Sequence, residues 1–340
     1  TSDKPVGVVG AGSFGVAMAN LLSLNSEVLL YARSYGHIEE WKKTKTIRGQ
    51  QLNERIQLTN EIEEVAQSCD FIFPIVPAGN FRQMMQELSP YLHPYHILIH
   101  GTKGFDYDAI NLKNFHRDSV KTMSQVIREE SVVVRVGCVA GPNLAKELAD
   151  EQPAATVIAS EFNEVIKEGQ RLLRNDRFQV YSSKDLIGVE LCGVLKNIIA
   201  IAAGAIQGLG LGENAKALLI SRGIIEMIYL GKILGGDVKA FIGLAGIGDL
   251  VATCSSSLSR NFTVGYRLAR GESLDDVVSS MEEVAEGIHT IKIAKNLAED
   301  GGFRAPISEN LYKVLYEGKT IEQALQYLMK YPFNVDVDFL

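Results

Sequence analysis

The sequence predicts an α/β domain built on a doubly wound, mainly parallel sheet, followed by an all-helical domain. Strand and helix patterns alternate through the first half of the 340 residues, which is the order that produces parallel strands. A glycine-rich turn joins the first strand pattern to the first helix pattern, and strand patterns almost vanish in the second half. The polar segment 182–184 marks the boundary, so the predicted domains are 1–184 and 185–340.

The composition indicates a soluble globular protein. Hydrophobic residues make up 46% of the chain and charged residues 22%, which is ordinary for that class. The formal net charge of -7 argues against a nucleic-acid-binding protein, which is usually basic, although a local cluster of Lys and Arg can still bind a small anion. The chain begins without an apolar signal region, and Lys196 and Asn197 interrupt its best candidate for a membrane span. We therefore expect a cytoplasmic protein with no membrane span.

The cysteines favour a reducing compartment. They are widely spaced and form no C-x-x-C pair, and three of the four lie in apolar runs. Such cysteines are typically buried, free thiols rather than disulfide partners. The four residues are Cys69, Cys138, Cys192 and Cys254.

The first element is the most informative. Residues 6–9 form a short β-branched run, Gly10-Ala-Gly12-Ser-Phe-Gly15 follows at once, and residues 16–22 have helical composition. Strand, G-x-G-x-x-G and helix in this order are the dinucleotide fingerprint of the Rossmann fold. Gly10 permits the tight turn, Gly12 lets the backbone approach a pyrophosphate, and Gly15 lets the helix pack on the strand.

The second strand pattern, residues 27–31, ends in Ala32-Arg33-Ser34. An acidic residue normally binds the ribose 2′-hydroxyl at this point, whereas Arg accommodates a 2′-phosphate. Arg33 therefore favours NADPH, with NADH still open. The alternative is that Arg33 is a solvated loop residue.

The remaining patterns of this half continue the alternation. Lys103 follows the strand pattern 96–100, at the strand end where ligands bind in such folds; the alternative is an exposed loop lysine. We expect no metal site at the three histidines of this segment, His93, His96 and His100. Pro94 and the strand character of the run prevent them from lying together on one face of a helix. Pro142 suits a first helical turn. The other predicted strands are 70–76, 132–138, 154–158 and 178–181, and the other helices are 81–88 and 161–174.

The helix predicted over 188–207 is apolar all round, as in a buried helix, yet it contains Glu190, Lys196 and Asn197. A buried ammonium is costly unless carboxylates or substrate anions meet it; the alternative is that Lys196 snorkels to the surface. Further helices are predicted over 214–230, 288–298 and 307–316, whereas the tail 331–340 lacks helical periodicity.

Two polar loops follow in this half. A glycine-rich loop, 243–248, ends on Asp249. Ser259, Arg260 and Asn261 combine a hydroxyl, a guanidinium and an amide, which suits a phosphate. The alternative is a flexible serine loop.

Together these motifs resemble the NAD(P)-dependent sn-glycerol-3-phosphate dehydrogenases of the bacterial biosynthetic type, over residues 6 to about 318. Seven matches occur in the family's order across both halves. The matching segments are Gly10-Ala-Gly-Ser-Phe-Gly15, His100-Gly-Thr-Lys-Gly104, Gly141-Pro-Asn-Leu-Ala-Lys-Glu147, Leu195-Lys-Asn197, Gly246-Ile-Gly-Asp-Leu250, Ser259-Arg-Asn261 and Val284-Ala-Glu-Gly287.

The resemblance implies reversible reduction of dihydroxyacetone phosphate to sn-glycerol 3-phosphate, which supplies glycerophospholipid synthesis. It implies a helical domain of the 6-phosphogluconate dehydrogenase C-terminal-like type, with the active site between the domains. Lys196 would protonate the developing C2 alkoxide and, in reverse, accept the proton of the hydroxyl. Burial and Lys103 would lower the pKa of Lys196, and Asp249 would oppose that shift.

The resemblance also implies which residues bind each ligand. Asn143 departs from the family's usual Ser or Thr. The implied catalytic residues are Lys196, Lys103 and Asp249. The implied substrate-binding residues are Lys103, Gly141, Asn143, Lys196, Asn197, Asp249, Ser259, Arg260 and Asn261. The implied cofactor-binding residues are Gly10, Gly12, Ser13, Phe14, Gly15, Arg33, Lys103, Ala145, Arg260, Val284 and Glu286, with NADP(H) favoured, NAD(H) open and no metal.

Two other interpretations stay open. Another two-domain dehydrogenase of the β-hydroxyacid or 6-phosphogluconate group would place its asparagine about one turn beyond the lysine, whereas Asn197 is adjacent to Lys196. A catalytically silent NADP-binding sensor would need neither Lys196 nor Asp249. Homodimers are common among such enzymes, although the sequence identifies no interface.

Overall fold

The computed structural model describes residues 4–107, 112–331 and 336. The chain divides into two compact units. The first comprises Thr1–Asp108 and Lys121–Glu190, and the second comprises Ala109–Val120 and Leu191–Leu340.

The strands in chain order are β1 (Val6–Val9), β2 (Val28–Tyr31), β3 (Thr46–Ile47), β4 (Gln50–Gln51), β5 (Ile56–Thr59), β6 (Phe71–Pro74), β7 (Ile97–His100), β8 (Arg135–Ala140), β9 (Ala154–Ala159) and β10 (Phe178–Ser183). The helices are α1 (Ser13–Ser23), α2 (Tyr35–Thr44), α3 (Ile62–Ser68), α4 (Ala78–Leu88), α5 (Met123–Glu130), α6 (Ala145–Ala149), α7 (Asn163–Leu173), α8 (Leu186–Gly208), α9 (Glu213–Ile233), α10 (Val238–Ile242), α11 (Asp249–Cys254), α12 (Arg260–Ala269), α13 (Leu274–Ser279), α14 (Gly287–Gly301), α15 (Pro306–Tyr316) and α16 (Ile321–Met329).

The first unit contains an eight-stranded sheet in the order β10-β9-β8-β7-β6-β1-β2-β5. Every neighbouring pair is parallel except β8 and β9. Successive residues of a strand point to opposite faces, so Val8 packs into one apolar cluster and Val9 into another. Helix α1 supplies the first cluster and α4 the second. The mainly parallel, doubly wound sheet is therefore confirmed.

The predicted elements of this unit are present, with shifted ends. The strand predicted over 132–138 begins at Arg135, because Val132 and Val134 are 56% and 59% exposed, and it continues to Ala140. The prediction that Pro142 opens a helix is wrong, since α6 begins only at Ala145. Sequence patterns also missed short elements, namely α2, α3, α5, β5 and the β3–β4 hairpin.

The second unit is helical throughout its described residues. Its long helices α9, α14 and α15 match predicted segments, whereas α10 to α13 and α16 are short and were not predicted. A π-helix over Leu244–Gly248 precedes α11. The tail prediction concerns residues that lie almost entirely outside the described ones: only 331 and 336 are described.

Helix α8 corrects one expectation. Its 23 residues are long and apolar enough to cross a membrane, so Lys196 and Asn197 do not interrupt it as predicted. However, 94% of its most apolar window is buried inside the protein. A helix that is apolar all round is expected in a protein core as well.

All four cysteines are free and buried, as predicted. Burial raises the pKa of Cys69 and of Cys254 to about 12 in each case. These thiols therefore lie in apolar surroundings that disfavour the reactive thiolate.

Candidate functional site

The turn after β1 requires glycine at two positions. Gly10 has φ +124°, a conformation that L side chains rarely adopt, and a Cβ there would lie 2.1 Å from the carbonyl oxygen of Ile75. A Cβ at Gly15 would lie 1.9 Å from the carbonyl oxygen of Gly10. The backbone of the turn is therefore packed as tightly as a dinucleotide cradle requires.

Helix α1 begins directly on this turn. Its N-cap is Gly12, which makes no side-chain capping bond, and its first turn contains no acidic residue. The amides and the dipole of such a helix N-terminus favour an anion. The residues present therefore fit the pyrophosphate of a dinucleotide.

Arg33 lies just beyond the carboxyl end of β2, on the same sheet edge as the glycine turn. Its side chain is 54% exposed, and Nη2 is 3.7 Å from Oε1 of Glu87. An exposed ion pair at that distance contributes little. Ser34 caps α2 by accepting a hydrogen bond from the amide of His37 at 3.5 Å. The guanidinium of Arg33 is thus solvent-accessible and only loosely held by Glu87.

Lys103 follows β7 on the same edge of the sheet. Its Nζ donates a hydrogen bond to the carbonyl oxygen of Gly141 at 3.1 Å and lies 6.0 Å from the ring centroid of Phe14. The structure therefore brings together three of the residues singled out in the sequence.

Asn143 has its amide engaged at both ends. Nδ2 donates to the carbonyl oxygens of Pro142 and Ala155, each at 3.0 Å, and Oδ1 accepts from Thr156 Oγ1 at 2.8 Å. The side chain is buried. Its visible role is to hold the segment between β8 and α6 against β9, while Ala145 packs on the apolar core.

Lys196 is buried in the second unit, with 5% of the residue exposed. The snorkelling alternative is therefore wrong. Nζ donates to Asp249 Oδ1 at 2.5 Å and to Thr253 Oγ1 at 2.6 Å. A carboxylate at this distance stabilises the ammonium form of the lysine.

Asp249 owes its position to an unusual backbone segment. The π-helix Leu244–Gly248 leads directly into α11, whose first residue is Asp249. A Cβ at Gly246 would lie 2.0 Å from the carbonyl oxygen of Phe241, so this segment depends on glycine. π-Helical turns occur frequently at functional sites.

The predicted phosphate-binding residues begin α12. Ser259 is the N-cap and accepts from the amide of Phe262 at 3.3 Å. Arg260 has a side chain that is 47% exposed, and its Nη1 is 3.0 Å from Oε2 of Glu283. This carboxylate was not predicted as a partner, and it competes with any anion for Arg260.

Asn261 and the backbone of Asn197 both lie close to Gly287, the first residue of α14. Asn261 Oδ1 accepts from the amide of Gly287 at 2.9 Å, which directs the donor end of the amide, Nδ2, away from that contact. A Cβ at Gly287 would lie 2.8 Å from the carbonyl oxygen of Asn197. Glu286 precedes Gly287 as the N-cap of α14, and Val284 is 40% exposed.

Thr253 contacts the predicted catalytic residues but was not itself predicted. Its hydroxyl contacts Lys196 Nζ and also lies 3.1 Å from Asp249 Oδ1. The signal was its spacing, since residues four apart on a helix face the same side. Lys196, Asp249 and Thr253 form what we call the lysine cluster.

The histidines have structural partners. His96 contacts the carbonyl oxygen of Ala66 through Nε2 at 2.9 Å, and His100 Nε2 is 2.8 Å from Glu190 Oε1. Among the residues that the structure describes, no group of three or more His, Cys, Asp or Glu is arranged to hold a metal ion.

Comparison with known proteins covers nearly the whole chain. Residues 5–166 match the family model for the N-terminus of NAD-dependent glycerol-3-phosphate dehydrogenase, and residues 185–326 match the model for its C-terminus. The chain is 38% identical to a Pseudomonas putida protein named glycerol-3-phosphate dehydrogenase (NAD(P)+), over 100% of this chain and 98% of that one. It is 39% identical to the protein of the same name from Ectopseudomonas mendocina, with the same coverage.

A solved structure supports the same relationship. The glycerol-3-phosphate dehydrogenase of Coxiella burnetii superimposes with a TM-score of 0.87 at 30% sequence identity, covering 96% of this chain and 99% of that one. Its fold pairs a Rossmann-like domain with a helical domain, as predicted from the sequence. The chain therefore belongs to the NAD-dependent glycerol-3-phosphate dehydrogenase family.

Proposed function

We propose that this enzyme reduces dihydroxyacetone phosphate to sn-glycerol 3-phosphate by reversible hydride transfer at C2, using a nicotinamide cofactor. The observation that carries the proposal is the buried lysine cluster in a chain of this family. A lysine with 5% exposure beside a carboxylate is poised to exchange a proton with a substrate oxygen.

A reduced nicotinamide, when bound, would supply the hydride for the C2 carbonyl carbon. As charge develops on the C2 oxygen, the Lys196 ammonium donates a proton to it and becomes a neutral amine. Asp249 and Thr253 hold Nζ through the bonds at 2.5 and 2.6 Å and so fix the direction of the donated proton. In the oxidative direction, the neutral amine accepts the proton of the C2 hydroxyl.

We assign the phosphate of the substrate to the start of α12. Arg260 offers a partly exposed guanidinium. Asn261 offers Nδ2 as a donor, because its Oδ1 is the atom that accepts from the amide of Gly287. Ser259 contributes the helix N-terminus, which favours an anion. Asn197, Lys103 and Gly141 complete the proposed substrate contacts, and Asn143 is proposed as well, although its amide is already bonded at both ends.

We assign the cofactor to the glycine turn, with Lys103 contacting both ligands. Gly10, Gly12 and Gly15 let the backbone approach the pyrophosphate, and Arg33 gives a preference for NADPH through the 2′-phosphate. The further proposed contacts are Ser13, Phe14, Ala145, Arg260, Val284 and Glu286. We further propose that the enzyme is a cytoplasmic homodimer. Its product, glycerol 3-phosphate, supplies glycerophospholipid synthesis.

The test is dihydroxyacetone phosphate-dependent oxidation of NADPH and of NADH, followed by absorbance. Wild-type enzyme is expected to oxidise NADPH faster, and Arg33→Ala is expected to lower the NADPH-to-NADH ratio of kcat/KM about tenfold, equivalent to about 1.4 kcal/mol. Arg55→Ala is the matched control, because Arg55 is also half-exposed and pairs weakly, at 3.9 Å from Glu27. Turnover of 3-hydroxyacids instead would favour the other dehydrogenase group, and cofactor binding without turnover would favour a sensor.

A further inference from the structure

One buried carboxylate of the first unit has no part in the proposed chemistry. The side chain of Glu190, in α8, is 2% exposed. Oε1 accepts from His100 Nε2 and from the amide of Ser124, each at 2.8 Å. Oε2 accepts from Thr122 Oγ1 at 3.0 Å and from Ser124 Oγ at 2.6 Å. Four donors thus satisfy a carboxylate that would otherwise be costly to bury.

These donors lie at the two ends of the connection between β7 and α5, called the loop below, of which the structure describes residues 101–107 and 112–121. His100 is the last residue of β7, and Thr122 is the N-cap of α5. Lys103 lies in the chain that connects them, three residues after His100. A backbone hydrogen bond also joins the two sides of the loop: the amide of Asp106 donates to the carbonyl oxygen of Lys121 at 3.1 Å. Glu190 therefore links the start of this loop to its end through hydrogen bonds.

The backbone beside Lys103 is held on both sides. Thr102 Oγ1 donates to the carbonyl oxygen of Val76 at 2.7 Å, and Asp106 pairs with Arg82 at 2.7 Å. The Arg82 side chain is 26% exposed and that of Asp106 is 5% exposed, so solvent reaches that pair only from the side of the guanidinium. The Glu190 network is sealed from solvent and is therefore the firmer anchor.

We infer that Glu190 is a positioning residue for Lys103: by binding both ends of the loop, it fixes the backbone from which the lysine reaches Gly141 and the ligands. This rests on the proposed function, in which Lys103 contacts substrate and cofactor. A long lysine side chain loses less entropy on binding when its backbone is already fixed. Misplacement of such a group by about 1 Å can cost about 100-fold in rate.

The first test compares two substitutions of Glu190. Glu190→Ala removes the acceptor of all four donors, and we expect kcat/KM for dihydroxyacetone phosphate to fall about tenfold, equivalent to about 1.4 kcal/mol of transition-state stabilisation. Glu190→Gln keeps one oxygen for His100 and the amide of Ser124, while its amide can donate to the two hydroxyls. We expect this variant to stay within about twofold of wild type on the same scale.

A double-mutant cycle separates positioning from general damage. If Glu190 acts through Lys103, the tenfold effect of Glu190→Ala shrinks to less than about twofold in the Lys103→Ala background. An equal factor in both backgrounds overturns the inference. Glu226→Ala is the matched control, because Glu226 is a buried carboxylate of the second unit that also caps a helix, α15, by accepting from the amides of Ile307 and Ser308. Its effect should be the same in both backgrounds.

Amide hydrogen exchange tests, independently of activity, whether Glu190 holds the two ends of the loop. In Glu190→Ala, the amides of residues 101–107 should exchange at least about tenfold faster, whereas Glu226→Ala should leave them unchanged. Unchanged exchange in Glu190→Ala overturns the inference even if dihydroxyacetone phosphate is turned over. Failure of wild type to turn over this substrate rejects the proposed function instead. If Glu190→Ala does not fold, Ser124→Ala, which removes one hydroxyl donor, should show a smaller effect that is again coupled to Lys103.

Discussion

The ion pair between Lys196 and Asp249 predicts a strong dependence of stability on both partners. The side chains are 6% and 2% exposed, and the two atoms are 2.5 Å apart. Removing one partner of a buried pair leaves the other charge poorly compensated and costs about 3–5 kcal/mol. Asp249→Ala should therefore lower the free energy of unfolding by about this amount, because Thr253 alone offers Lys196 no opposite charge.

Removal of the second charge is expected to restore stability. Lys196→Met should destabilise the wild type but stabilise the Asp249→Ala variant by about 2 kcal/mol or more, since it removes the uncompensated ammonium. The assay is denaturant unfolding followed by circular dichroism. The partly exposed pair of Lys295 and Glu299, whose side chains are 27% and 60% exposed and 2.9 Å apart, is the matched control, and Glu299→Ala should cost less than about 1 kcal/mol. Equal destabilisation by Lys196→Met in both backgrounds would show that Lys196 and Asp249 do not compensate each other's charge.

Three further predictions concern the pH dependence of stability, cofactor binding and the reactivity of the cysteine thiols. Burial raises the pKa of Glu226 to about 7, although hydrogen bonds from Ser308 and Ile307 act to lower it. The folded state therefore binds the proton of Glu226 more tightly than the unfolded state. The free energy of unfolding should fall as pH rises from about 4.5 to about 7. Glu226→Gln should flatten that part of the stability profile, and an unchanged slope would contradict the assignment. Gly10→Ala should abolish cofactor binding measured by calorimetry, because its Cβ would lie 2.1 Å from the Ile75 oxygen; wild-type affinity would count against the tight turn. With all four cysteines buried, maleimide should label the native enzyme far more slowly than the unfolded chain, and rapid labelling at Cys254 would show that its surroundings open.

The sequence predicted the features that depend on local pattern. The glycine turn follows from steric requirements at Gly10 and Gly15, which hold wherever strand and helix meet in this way. The burial of Lys196 follows from a helix that is apolar all round. Such constraints act over a few residues, so they are visible in the sequence.

The features that were missed depend on contacts distant in the chain. Glu283 pairs with Arg260 across 23 positions, and the four donors to Glu190 come from residues 66 to 90 positions away. The amide of Asn143 is satisfied by the neighbouring strand β9. No local periodicity marks such partners. The strand β5 (Ile-Gln-Leu-Thr) was missed because two of its four residues are polar, whereas the equally short β1 (Val-Gly-Val-Val) is apolar.

The proposed role of Lys196 as proton donor can be tested by substituting that residue alone. The dihydroxyacetone phosphate-dependent rate of NADPH oxidation is compared in wild type, Lys196→Ala and the control Lys295→Ala, with cofactor affinity measured in each. We predict that Lys196→Ala binds NADPH normally and loses about 100- to 10,000-fold in kcat, while Lys295→Ala stays near wild type. A Lys196→Ala enzyme that keeps the wild-type kcat would rule out Lys196 as the proton donor.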